Sequence, residues 1–275
     1  MKLRIPFKYK ILIKISKLLA RFVFLIVKIP DKKFTTVYLC SNKTEITRAT
    51  TLWDKEPGTM RWLDTHLKSG DIFLDIGANI GIYSLAAAHR VGEKGKVYAV
   101  EPHKPSAISL MQNTKLNNFN NIDILTVPLT NELKVGKFNY KNFSSSLTGS
   151  QFNSTRINSN EDNFEPEVQE IIVAFSIDML IKMKAIRIPD LVKIDVDGIE
   201  DKILIGMKKT LTSAKKPRSV QVELNKGKQI KIEKLLKSLG YFLKERHFTH
   251  NGNLKLQQGI HIRKIAHNAI FEPRH

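Results

Sequence analysis

Gly70-Asp71-Ile72-Phe73-Leu74-Asp75-Ile76-Gly77-Ala78-Asn79-Ile80-Gly81-Ile82-Tyr83-Ser84 is the stretch on which the reading of the fold turns. Residues 71–75 form a short apolar run bounded by aspartates, the pattern of a buried strand. Gly77 and Gly81 bracket a tight turn, and a helical pattern with alanines and Leu85 follows from Ile82 to Arg90. Glycine suits a backbone that turns sharply and approaches a ligand closely. The helix start beyond it offers unpaired N–H groups to a negative group. The dinucleotide fingerprint Gly-x-Gly-x-x-Gly would need glycine where Asn79 and Ile82 stand, so that motif fails.

Outward from this turn, strand and helix alternate. Lys96–Val100 is a second strand, Pro105–Asn117 a helix and Ile122–Val127 a third strand. Upstream, Phe34–Leu39 is strand-like and Arg61–Leu67 helical. Downstream, residues 139–167 are rich in Asn and Ser and break the pattern, as a surface insertion or mobile loop does. Alternation resumes with a strand at Ile171–Phe175, a helix at Ile177–Lys184 and strands at Leu191–Asp195 and Ser219–Glu223. A helix at Ile230–Leu239 then leads to closing strands at Tyr241–Leu243 and Gly259–Ile262. This alternation predicts an α/β fold on a parallel sheet. Two regions are expected: residues 1–33 as an N-terminal appendage and residues 34–275 as one domain carrying the polar insertion 139–167.

Ligands of open α/β sheets sit at the carboxyl ends of the strands. Glu101 follows the second strand, 24 residues after Gly77, where an acidic side chain can accept hydrogen bonds from both ribose hydroxyls. Asp75, Gly77, Asn79, Gly81 and Glu101 are therefore the candidate cofactor-binding residues for a nucleoside-type cofactor. If that cofactor is S-adenosylmethionine, the helix start faces its carboxylate and Asp75 takes its ammonium group, directly or through water. Asp195, Asp197, Glu200 and Glu223 cluster after the later strands. A hydroxyl becomes a good nucleophile as its proton leaves, and a carboxylate in reach can take that proton. Asp195 is the first choice of base and Glu223 the second. Asp195 with Asp197 is also the pairing that would hold a divalent ion, although no metal site is assigned. Asp197 and Glu200 otherwise read as helix caps. Lys193 reads as structural or solvent-facing, His103 as a surface residue, and Ser144-Ser145-Ser146-Leu147 as a substrate loop or a disordered one.

With these residues in place, the sequence resembles the FkbM-type methyltransferases from about Trp62 to Ile262. The resemblance rests on the quoted stretch, on Val97-Tyr98-Ala99-Val100-Glu101-Pro102, on Ser176-Ile177-Asp178-Met179-Leu180, on Val192-Lys193-Ile194-Asp195-Val196-Asp197-Gly198-Ile199-Glu200, and on Val222-Glu223. Asp197 stands where glutamate is commoner in that family. The resemblance implies a doubly wound, seven-stranded Rossmann-like sheet, S-adenosylmethionine as cofactor, and methylation of a sugar, glycan or glycolipid oxygen. The acceptor is expected to depend on the insertion.

The chain carries a formal net charge of +19, an excess that favours polyanionic surfaces. Residues 1–33 supply ten basic residues and one acid, Asp31, which is about half of that excess. Lys10, Lys14, Lys17, Arg21 and Lys28 fall on one stripe of an otherwise apolar helix that Pro30 would end. Their depth argues against a membrane span and for a helix lying on an anionic membrane surface; docking on the protein's own domain and a targeting peptide are the alternatives. The single cysteine, Cys40, excludes an intrachain disulfide and fits a cytoplasmic location, peripheral at the membrane. The Asn-x-Ser/Thr triplets at Asn42, Asn142 and Asn153 read as chance. Two further functions stand beside the first: an RNA methyltransferase, suggested by the basic charge but lacking interleaved basic and aromatic residues, and a non-catalytic binding module that retains the fold.

Overall fold

In the computed structural model, residues 24–31, 34–156 and 163–274 are described. The core is a seven-stranded sheet built on β3 (Ile72–Ile76), β4 (Lys96–Val100), β5 (Ile122–Leu125), β9 (Leu191–Ile194), β10 (Ser219–Leu224), β11 (Tyr241–His247) and β12 (His267–Pro273). Its order is β11-β12-β10-β9-β3-β4-β5. The five strands from β10 to β5 are parallel, and β12 runs antiparallel to both β10 and β11. The expected doubly wound fold is thus present. The chain builds β3, β4 and β5 in one direction and then returns to place β9 on the other side of β3. The carboxyl ends of β3 and β9 flank that reversal, where open sheets bind ligands.

Alternate strand residues feed two cores. Leu74, Ile76, Val100, Val192, Ile194 and Val222 pack on one face. Phe73, Val97, Ala99 and Leu191 pack on the other against α3 (Pro57–His66) and α4 (Ile82–Val91). A sheet covered on both faces buries polar mid-strand residues too. The helix α5 (Lys104–Leu116) lies beside β2 (Phe34–Cys40). Asn113 of α5 and Asn117, which caps its end, accept from the N–H groups of Leu39 and Val37, each at 2.8 Å, and so satisfy one edge of β2.

Three expectations need correcting. First, the basic helix does not extend to Pro30: Leu25–Asp31 is strand β1, paired antiparallel with β2. Val27, Ile29 and Asp31 point inward with period two, and the buried Asp31 is held by Arg90 at 2.7 Å. Arg90 also grips Asp64, so the hairpin is tied to α3 and α4. Pro30 is tolerated because β1 is an edge strand. Residues 1–23, the rest of the expected helix, lie outside the described residues. Second, the closing strand is not Gly259–Ile262. The chain makes α10 (His250–Gln257), turns at Gly259 with φ +77°, and pairs the buried run His267–Phe271 in β12. Third, the strand expected at Ile171–Phe175 does not join the main sheet. β6 (Lys134–Tyr140), β7 (Gln151–Phe152) and β8 (Val168–Ala174) make a small antiparallel sheet in the order β7-β6-β8. The loop between β6 and β7 reaches back over the ends of β3, β4 and β9.

Candidate active site

Gly77 leaves β3 with φ +83°, and a Cβ there would stand 2.0 Å from the Asp195 carbonyl oxygen. Gly81, at φ +92°, would collide with Leu110 and Leu85. The two glycines therefore answer first to the chain's own packing: one lets the ends of β3 and β9 meet, and the other seats α4 on α5. Asn79, between them, is left-handed at φ 52°. Asparagine tolerates that region better than most residues.

Beside this turn lies a cavity lined by Gly77, Asn79, Glu101, His103, Leu129, Phe138 and Asp195, roofed by residues 147–152. Glu101 lies at the end of β4, buried, as its spacing from Gly77 predicts. One carboxylate oxygen accepts from the Asn79 N–H at 2.7 Å, the other from the His103 N–H at 2.8 Å. Each oxygen keeps a second lone pair. Burial pushes the Glu101 carboxyl up to about 7, against those hydrogen bonds.

His103 is not a surface residue but a buried wall of this cavity. Its Nε2 lies 2.7 Å from the Asn142 carbonyl and so must donate. Its Nδ1 therefore accepts from the Ser106 hydroxyl at 2.9 Å, and Ser106 accepts from the Ser146 N–H. Burial lowers the histidine pKa against the Asn142 contact, which matches this neutral tautomer. The serine segment is likewise docked: Ser145 and Ser146 are buried. Ser145 and Ser109 donate to the buried Glu45 of α1 (Lys43–Thr50), which also accepts from Ser41. Burial raises the Glu45 pKa, but the three serines outweigh it and hold it below the usual range. Farther along, the Gly149 N–H donates to Asp197 at 2.6 Å, and Gln151 donates to the Asp197 carbonyl. Asp197 thus anchors the roof. Glu200 opens α7 (Glu200–Ile205) and accepts from the Gly198 N–H at 3.0 Å. Both fit the capping reading only in part, since α7 has no side-chain cap at Ile199.

Of the two readings of Lys193, structural or solvent-facing, the second fails. It lies in register between Asp75 and Gln221, 1% exposed, with Nζ 2.9 Å from Asp195 and 3.7 Å from Asp75. Its Nζ also stands 4.8 Å from the Tyr83 ring centre. Burial alone would lower a lysine pKa, but Asp195 and Asp75 reverse the shift and hold Lys193 above its usual range. In return, burial would raise Asp195, yet Lys193 keeps it below the usual carboxylate range. A polar mid-strand residue in a sheet covered on both faces was the available signal.

Asp75 is fully buried beneath the turn, accepts from Ser84 at 2.6 Å and faces Lys193. It lines neither that cavity nor a second, smaller one lined by Arg48, Lys55, Glu56, Tyr83, Lys193 and Asp195, so direct contact with a ligand is not its geometry. Burial raises its pKa against the pull of Lys193. Asp195 lines both cavities. Glu223 lines neither; it accepts from Asn225, which also bonds Glu200. Burial and the nearby Asp195 push Glu223 up to about 9, so it holds a proton at neutral pH. Among the described residues, no three His, Cys, Asp or Glu side chains gather as a metal site.

The methyltransferase FkbM domain family matches residues 75–243 of the chain. No curated protein sequence matches it significantly. Among solved structures, it resembles an S-adenosylmethionine-dependent methyltransferase from Aquifex aeolicus at 12% identity, covering 84% of this chain and 96% of that one, with a TM-score of 0.46. The FkbM methyltransferase from Methylobacillus flagellatus KT matches at 14% identity over 77% of this chain and 50% of its own, with a TM-score of 0.44. A Thermotoga maritima S-adenosylmethionine-dependent O-methyltransferase matches at 12% identity over 90% of this chain and 77% of its own, also at 0.44.

Proposed function

The chain belongs to the FkbM methyltransferase family, whose methyl donor is S-adenosylmethionine, and from that premise we propose that it methylates a hydroxyl oxygen of a sugar, glycan or glycolipid. The observation that carries this reading is Asp195. At the reversal between β3 and β9, it is the one carboxylate among the described residues that lines both cavities, and a buried lysine keeps it ionised.

The residues present fit the cofactor. Glu101 has an acceptor site left on each oxygen, which suits two adjacent ribose hydroxyls, and the apolar walls of Leu129 and Phe138 suit an adenine face. Gly77 and Asn79 form the edge along which the chain of the cofactor would pass; Gly81 shapes the turn behind them. When bound, S-adenosylmethionine supplies a methyl group already activated by its sulfonium. What the protein must add is placement and a proton acceptor. Asp195 would take the hydroxyl proton as the acceptor oxygen bonds to the methyl carbon and the carbon–sulfur bond breaks, the electron pair leaving with sulfur to give S-adenosylhomocysteine. Lys193 holds Asp195 in one orientation and, with Asp75 behind it, sets its charge; both are positioning residues. Glu223, protonated in the resting site and lining neither cavity, is the poorer candidate for the base.

The acceptor test uses methyl-labelled S-adenosylmethionine with separated oligosaccharide, glycolipid and RNA pools. Alkali-stable label on a sugar hydroxyl is expected, and Asp195→Asn abolishes it. Label confined to RNA, or none with any pool, contradicts the reading; the latter favours the binding-module alternative. Among the described residues no helix is long and apolar enough to cross a membrane. The acid-free charge of residues 1–23, seven basic side chains, supports a peripheral role at an anionic surface as part of this proposal.

A further inference from the structure

Strand β8 closes one side of the small sheet. Its register with β6 runs unbroken from Lys134–Ala174 to Tyr140–Val168, and among the described residues no strand pairs its other edge. The strand Val168-Gln169-Glu170-Ile171-Ile172-Val173-Ala174 has no proline, lysine or bulge, devices that keep edge strands from pairing. Its one charge, Glu170, is taken up within the chain: Tyr140 donates to it at 2.7 Å and Lys104 pairs with it. What the strand offers to solvent is mostly apolar. Ile171 is 75% exposed, and Val168 and Val173 are each more than a third exposed. An antiparallel sheet with one wet face ordinarily turns polar side chains outward. Here Ile171, Val173 and its cross-strand neighbour Val135 face out instead.

The strand is complementary to itself. Antiparallel pairing about a twofold axis at Ile171 sets Ile171 against its own copy, Gln169 against Val173, and Glu170 against Ile172. No like charges meet across that register. Lys137 flanks Ile171 on the outer face, so the two lysines of a pair would stand three strand spacings apart, about 14 Å. At the far side of the small sheet, β7 has only two residues, so each copy offers one long edge and pairing closes at two. An anionic membrane suits this edge less well, because Glu132, Glu165 and Glu167 are exposed where β6 and β8 begin.

We propose that two copies of the chain associate through β8, giving a continuous six-stranded sheet in the order β7-β6-β8-β8-β6-β7. One strand edge is small beside the roughly 1,200–2,000 Å² of stable complexes, so the dimer is reversible, with a dissociation constant on the order of 1–100 µM. Pairing also braces the roof of the site, since the roof loop leaves β6 at Tyr140, the partner of Val168. The proposal is independent of the methyl donor and of the acceptor.

The test is sedimentation equilibrium of the full chain over about 1–200 µM, the span set by that affinity. The wild type should approach twice its 31.4 kDa mass at the upper end. Ile171→Glu sets like charges opposite each other and gives Lys137 a cross-strand partner in its own chain. It should weaken association at least about tenfold with an unchanged circular dichroism spectrum. A second measurement reads the register. Ile171→Cys should cross-link to a dimer on mild oxidation, because directly opposed Cβ atoms lie about 5 Å apart. Val135→Cys, also exposed, should not, since its copy lies beyond the reach of a disulfide. The native Cys40 is buried and does not compete. A wild type that stays monomeric, a dimer that Ile171→Glu leaves intact, or equal cross-linking of the two cysteines overturns the proposal. So does a monomer whose binding to phosphatidylglycerol vesicles falls in Ile171→Ser, which would give the edge to lipid.

Discussion

Lys193 carries its charge with almost no solvent contact, held by Asp195 at 2.9 Å and Asp75 at 3.7 Å. A buried ion whose partner is deleted costs far more than the pair contributes. Lys193→Met should therefore destabilise the fold by about 3–5 kcal/mol, read from urea denaturation. It should also raise the Asp195 pKa and move the acid limb of the pH–rate profile upward. A variant with wild-type stability and an unmoved acid limb would remove Lys193 from the account. At this scale the sequence was uneven. The position of Glu101 was legible because it follows from a strand end and a spacing. Lys193 and His103 were not, because a lone lysine or histidine in sequence does not reveal what covers it. Asp75 was legible in its place at the strand end but not in its contacts: a strand-end aspartate can face the cavity or the floor beneath it, and only packing against Ser84 and Lys193 decides.

At the scale of elements, the roof over the site hangs on Glu45. The Ser41, Ser109 and Ser145 hydroxyls and the Ser41 N–H all converge on its carboxylate. Glu45→Ala leaves these donors without their acceptor. Hydrogen exchange should then quicken across residues 142–150 while β3, β4 and β9 stay protected; unchanged exchange in the roof would show that Asp197 and Ser106 hold it unaided. The five parallel strands were readable from apolar runs and glycine breaks. The hairpin was not: Lys28 fits a helical stripe and Val27-Ile29-Asp31 fits a strand, and the Asp31–Arg90 ion pair, remote in sequence, decides between them. The docked serine segment was equally hidden, since the acceptor that orders it lies about a hundred residues away.

For the whole molecule, the carboxyls of the site make stability depend on pH in an unusual direction. Burial leads in raising Glu101 and Glu200 to about 7 and Glu223 to about 9. A carboxyl whose folded pKa exceeds its unfolded value binds its proton more tightly when folded. Its contribution is complete below the unfolded pKa, about 4.3 for glutamate, and is lost as pH rises through the folded value. The ligand-free protein should therefore melt at progressively lower temperature from about pH 6 to pH 9, and Glu223→Gln should flatten the upper part of that fall. A melting temperature constant or rising over this range would contradict the arrangement. Glu45 and Asp195, shifted the other way, contribute above the usual carboxylate range and are lost only on acidification. The fold as a whole was legible in the order of its motifs, whereas the charge balance of the site required three dimensions.

The claim that ties these scales together is that the turn after β3 and the acid after β4 hold a methyl donor. Titration of the full chain with S-adenosylhomocysteine at pH 8, where Glu101 is ionised, tests it most directly. Saturable one-to-one binding is predicted, weakened at least about tenfold by Glu101→Gln, as expected when a charged hydrogen-bond acceptor is removed; no binding, or equal affinity in the variant, would contradict the account.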